Sequence, residues 1–260
     1  MKRGLQVCAR SFSGRCAIVV VVTTFCLLHA QVAHPTIIVG IGGRDGIVIG
    51  ADSKALSADR AVATRTCKLV KLAPLTYAAV AGVVVSGEFD VWKIVRGLSG
   101  RGGLADIVSA ARSQLGDGIE QLMKREVIRN NAPPPAGQVG QPILEVAFFS
   151  RAEPTEPSFA ALTFRLNHPP PYFTMDALGP LDVTGSIAYL GRQEPIVKLH
   201  ERRPLYWYHL AGKFGAVAAV RKLLKVTIAE AGEDCGPPLS ILSLTANGAE
   251  WIERGECEPE

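Results

Sequence analysis

The sequence predicts an α+β fold in which β-sheets lie between helical layers. Three observations point there. Apolar patterning gives four strand-like runs, two helical runs, further strands, two more helical zones and a last strand. That order lacks the strict strand–helix alternation of a parallel α/β sheet. No repeat of fixed period divides the chain, and the 225 residues from Thr36 onward suit one well-cored domain.

The elements follow in chain order. Residues 36–43 and 46–52 are β-rich runs joined at Arg44-Asp45-Gly46, a hairpin signal. Residues 66–72 and 75–81 form a second pair turning at Pro74, and Gly82 ends that strand. A helix is expected from Glu88 to Leu98, broken by Gly100 to Gly103. A longer one runs from Leu104 to Ile128, with Ile107, Val108, Ala111, Leu115, Ile119 and Leu122 at helical spacing. Asn130 to Pro142 is rich in Pro, Gly, Asn and Gln and reads as a surface loop. Strands resume at Ile143–Ser150 and Phe159–Leu166, and a proline cluster leads into Tyr172–Met175. Helical zones are expected over Ala188–Leu199 and Leu205–Glu230. The last strand is Leu239–Thr245, closed by a turn at Asn247-Gly248.

Residues 1–33 read as a signal peptide. Lys2, Arg3, Arg10 and Arg15 form a basic n-region without acids, and Ala17–Ala30 is a mostly apolar stretch of 14 residues. That length suits a signal h-region and is short for a bilayer span. Cleavage after Ala30 or Ala33 is expected, which places the product outside the cytoplasm, in the periplasm or beyond the cell. Membrane association is expected only through an uncleaved leader. The remainder carries 24 basic and 24 acidic residues, so no basic patch argues for nucleic acid. Three of six cysteines remain, Cys67, Cys235 and Cys257. Cys235 with Cys257 could form one disulfide tying down the C-terminal tail, and Cys67 is expected as a small buried residue. No Cys/His cluster suggests a metal, and no cofactor motif is present.

The chemistry concentrates at Thr36. If the leader and His34-Pro35 are removed, Thr36 becomes the first residue. Its α-amine can then take the proton from its own hydroxyl. An unperturbed α-amine titrates near ~8, and a nearby ammonium lowers it. Lys68 can be that ammonium, Asp52 its counter-ion, and Gly82 can aim a backbone N–H at a developing oxyanion.

These residues resemble the catalytic β-type subunits of the proteasome family, within the N-terminal-nucleophile hydrolases. The matching text is TIIVG at Thr36–Gly40, RDG at Arg44–Gly46 and GADSK at Gly50–Lys54. Asp52 lies 16 residues after Thr36, Lys68 lies 32 after, and Gly82 lies 46 after. Those are the family's intervals for its aspartate, lysine and oxyanion glycine. Lys54 matches a basic residue flanking the family's aspartate.

The resemblance implies a single domain over 36–260 with a four-layer αββα sandwich. It also implies a threonine hydrolase that cleaves peptide bonds through an ester on Thr36, and assembly into a homo-oligomer, a dimer or ring. By the same resemblance, Ser186 in Thr184-Gly185-Ser186 is the counterpart of a serine that binds the threonine amine. Asp234 is the counterpart of a late aspartate, with Cys235 standing where that segment has serine. Two further readings stay open: a catalytically silent structural or binding subunit, and an amidase acting on a small amide.

Overall fold

The computed structural model describes residues 36–56, 63–82, 85–86, 88–130, 138–151, 157–232 and 235–257. The leader over 1–33, the pro-segment 34–35 and Asp234 lie outside the described residues.

The expected first hairpin is β1 (Ile37–Gly43) and β2 (Gly46–Asp52), with Ile38 opposite Ala51. Gly46 turns the chain with φ +155°, and a methyl group built there would stand 1.8 Å from the Leu244 carbonyl oxygen. Only glycine fits that approach. Then come β3 (Lys54–Leu56) and β4 (Ala63–Arg65), followed by β5 (Leu69–Ala73) and β6 (Thr76–Gly82). After β7 (Val85–Ser86) and β8 (Phe89–Asp90), helix α1 (Val91–Arg96) starts where the Asp90 carboxylate accepts from Lys93 N at 3.1 Å. Helix α2 (Leu104–Asn130) buries the Ile107, Ala111, Leu115, Ile119 stripe that its periodicity announces.

Four strands, β9 (Pro142–Ser150), β10 (Ser158–Leu166), β11 (Phe173–Asp182) and β12 (Ile187–Gly191), precede the C-terminal helices. Those helices are α3 (Glu194–Arg202), α4 (Tyr206–Phe214) and α5 (Ala216–Ala231). The chain then forms β13 (Leu239–Thr245) and β14 (Gly248–Glu253).

The fold is α+β. One five-stranded sheet runs β12-β1-β2-β13-β14 and another runs β11-β10-β9-β6-β5, and every pairing within them is antiparallel. Three apolar clusters hold the elements. Ile37, Val39, Ile41 and Ile241 of the first sheet pack on Ala219, Val220, Leu223 and Leu224 of α5. Ile38, Ile49 and Leu242 face Tyr77, Ala79 and Phe149 of the second sheet. Val80, Val146, Phe148 and Phe164 pack on Val95 of α1 and on Leu115 and Ile119 of α2. The alternation of Ile37, Ile38 and Val39 between two clusters is the two-residue strand period at work. Each such aliphatic side chain contributes about 1.5–3 kcal/mol on burial.

Several expectations are corrected. The helical zone over Ala188–Leu199 begins as a strand, because Ile187–Gly191 pairs with Ile37–Ile41 before α3 starts at Glu194. Short apolar runs read equally as strand or helix, and a free edge beside β1 decided this one. The zone over Leu205–Glu230 is two helices, broken at Gly215 (φ 84°, ψ 159°). Strand β14 was not expected. The disulfide joins Cys67 to Cys257, with Cα atoms 4.6 Å apart, while Cys235 is a buried thiol outside that bond. The β13–β14 hairpin carries Cys257 back toward the segment before β5, whereas Cys235 packs beneath α5 with Val220 and Leu224. No described helix is long and apolar enough to cross a membrane.

Candidate active site

The first hairpin brings Asp52 back beside the start of β1. Thr36 directly precedes β1 and is 5 % exposed. Asp52 ends β2 at 0 % exposure, opposite Leu239 of β13. The backbone N–H of Ile37 donates to Asp52 Oδ1 at 3.0 Å, so the carboxylate is tied to the residue next to Thr36.

Lys68 comes from the segment just before β5. It is 3 % exposed, and its Nζ donates to Asp52 Oδ1 at 2.7 Å. The same Nζ donates to the Lys54 carbonyl at 2.5 Å. Two more backbone N–H groups complete the carboxylate: Lys54 N at 3.3 Å and Gly236 N at 3.1 Å, both to Oδ2. Thus four donors from four segments converge on one side chain. A buried charge is tolerated only with such partners.

Burial pushes the Asp52 carboxyl above its ordinary value, and the Lys68 ammonium with the Ile37 and Gly236 N–H groups works against that. Burial likewise pushes Lys68 below the usual lysine range, opposed by the Asp52 charge and by Cys235. Both shifts come from the same dry site, where burial disfavours the charged form of each partner and their mutual attraction opposes it. Beside them, the fully buried Ser53 Oγ has no hydrogen-bond partner among the described residues.

Gly82 ends β6 with φ +110° and pairs with Leu144 of β9. It is brought to this end of the molecule through its neighbour Ala81. A methyl group built on Gly191 would stand 3.4 Å from the Ala81 Cβ and 2.0 Å from the Thr36 carbonyl oxygen. Gly191, with φ +79°, is therefore required as glycine by both its backbone and its neighbour. Arg192 N then donates to the Thr36 carbonyl at 2.7 Å.

Ser186 is placed elsewhere. Its carbonyl accepts from Gly42 N at 3.0 Å, at the far end of β1, and its side chain is exposed. The register of β12 explains this. Gly191 pairs with Ile37, so Ser186, five residues earlier, lies beyond Ile41. The residues of this segment that do border Thr36 are Gly191 and Arg192, which sequence reasoning missed. Gly236, the third backbone donor to Asp52, was missed as well. A glycine closing a four-residue apolar run was the available signal for Gly191. Gly236 had none, because a backbone donor leaves no side-chain trace.

Thr36, Asp52, Lys68 and Gly82 therefore converge on one end of the two sheets, and Ser186 does not join them. Among the described residues, no group of three or more His, Cys, Asp or Glu could hold a metal ion. Comparison with protein-family models and with curated proteins finds no match.

Proposed function

We propose that this protein is a threonine-nucleophile hydrolase that cleaves peptide bonds, with the four-layer αββα architecture of the proteasome-like N-terminal-nucleophile hydrolases. The observation that carries the reading is the buried Asp52–Lys68 pair, bonded at 2.7 Å and fastened to the N–H that follows Thr36. Burying two charges is expensive and adds little stability compared with apolar packing. Such a pair beside a threonine is better explained by chemistry than by folding.

In this reading, Pro35–Thr36 is cut and the Thr36 α-amine becomes free. The amine removes the hydroxyl proton as Oγ1 attacks the substrate carbonyl. Lys68 supplies positive charge that lowers the amine's pKa, and Asp52 holds Lys68 in place. The Gly82 N–H receives the oxyanion. The amine then gives its proton to the leaving nitrogen, an ester forms on Thr36, and water releases the acid.

The Cys67–Cys257 disulfide supports export to an oxidising compartment. Exposed Leu205, Tyr208 and Phe214, in and beside α4, support self-association into a dimer or ring. The remote position of Ser186 favours a second reading, a silent subunit of the same fold.

One experiment separates them. Intact-mass analysis should find the secreted chain beginning at Thr36, and a covalent probe directed at N-terminal threonine should label it. Thr36→Ala should abolish labelling and Ser53→Ala should keep it. A terminus fixed at His34 removes the base and overturns the catalytic reading.

A further inference from the structure

We propose that Glu145 is a positioning residue that clamps the nucleophile's strand between the two sheets; this rests on the hydrolase reading above. Glu145 is the one ionisable residue in the β9 sequence PILEVAFFS. Its neighbours Leu144 and Val146 face the α1–α2 side, so strand alternation turns Glu145 toward the other sheet. It lies in register with Ala81, the residue before Gly82, and with Thr163. Only 6 % of it is exposed.

The side chain crosses between sheets. Glu145 Oε2 accepts from Gly191 N at 2.8 Å. Gly191 is the residue whose Cα closely approaches the Thr36 carbonyl, and the next N–H, that of Arg192, donates to that carbonyl at 2.7 Å. One chain of contacts thus runs from the strand beside Gly82, through Glu145 and Gly191, to the backbone of Thr36. It fixes the nucleophile's residue relative to the oxyanion glycine. These two groups come from different sheets and must keep their spacing within a fraction of an ångström.

Asp52 and Lys68 hold Thr36 from one side, through Ile37 N. Glu145 holds it from the other, through Gly191 and Arg192. Arg165 on β10 attracts the Glu145 charge and Glu194 at the start of α3 repels it, while burial pushes its carboxyl above the usual value. An acceptor, rather than a free charge, is what the Gly191 N–H requires.

The test compares Glu145→Ala with Glu145→Gln, whose amide oxygen can still accept from Gly191 N. Glu145→Ala should lower kcat about tenfold to a hundredfold with little change in KM. Glu145→Gln should stay within about fivefold of the parent. Hydrogen exchange should lose protection at the Gly191 and Arg192 amides in Glu145→Ala while Ala188 and Leu190 stay protected. Unchanged exchange at those two amides overturns the proposal, as does an unchanged kcat in a variant whose exchange has accelerated. Failure of the hydrolase reading looks different: the parent itself is inactive and unlabelled at Thr36. In that protein the exchange result alone still decides whether Glu145 clamps the strand.

Discussion

The two ends of the β1–β2 hairpin share the same strands and have opposite characters. At one end Asp52, Ser53 and Lys68 are buried, and the carboxylate takes four donors. At the other, Arg44, Asp45, Gly185 and Ser186 face solvent around a tight turn. The strands between are apolar on both faces, so neither end is distinguished by packing in the middle. The difference lies in what covers each end. The buried end is capped by the Lys68 segment, by Gly236 and by the β12–α3 turn. Charge kept dry by three segments is shifted in proton affinity by desolvation, a cause that charge in water lacks. In the proposed reading, chemistry belongs to the first end.

The largest test of this contrast is Asp52→Ala. It leaves Lys68 buried without its counter-ion and should lower stability by about 3–5 kcal/mol. Asp52→Leu combined with Lys68→Met should recover most of that loss in a denaturant melt, yet remain inactive. A pair retained for stability would give the reverse result.

Gly191→Ala comes next. The new methyl meets the Thr36 carbonyl at 2.0 Å on a backbone of φ +79°. A loss of about 2–4 kcal/mol is expected, from positive-φ strain and overpacking together. Chemical denaturation measures it, and a loss under about 1 kcal/mol would mean that the turn relaxes freely.

A smaller effect sits midway along β12. His200 packs against Tyr189 with ring centroids 6.1 Å apart, and its Nε2 is buried without a partner among the described residues. Burial lowers its pKa below the ordinary 6.5. The fold thus binds this proton less readily than the unfolded chain does. Stability from this group is full above 6.5 and declines as pH falls through that value toward the lowered one. The melting temperature should drop slightly between neutral and mildly acidic pH, and His200→Phe should flatten that part of the curve.

The smallest expected effect is at the exposed end. Ser186→Ala should change stability by less than about 0.5 kcal/mol and leave the rate of hydrolysis unaltered. A large loss of rate would break the comparison, because it would place chemistry at both ends.

The legibility of the site follows from these differences. Thr36, Asp52 and Lys68 could be read from the sequence because each contributes a side chain of fixed type at a fixed interval within two hairpins. Local pairing preserves such intervals. Beyond Gly82 the chain passes through helices and loops whose lengths are free, so spacing no longer locates anything. That is why Ser186, chosen for its glycine neighbour, proved to lie at the far end, while Gly191 and Arg192 went unnoticed. The fold shows the same division. Long periodic segments such as α2 were legible from apolar spacing alone. The four apolar residues Ile187–Leu190 were not, since their strand state depends on the edge of β1. The Cys67–Cys257 pairing likewise depends on β14 and was hidden from any reading of cysteine order.

That disulfide makes most of the domain a closed ring, with 190 residues of separation between its two ends. A single backbone cut anywhere between the two cysteines would leave one covalent molecule. Fragments would separate only after reduction. The bond before Thr36 lies outside the ring. A protease cutting there sheds a peptide at once, while one cutting inside sheds nothing. The topology thus lets the chain be trimmed at the one bond whose cleavage would expose the proposed nucleophile, and keeps it whole when it is nicked inside the ring.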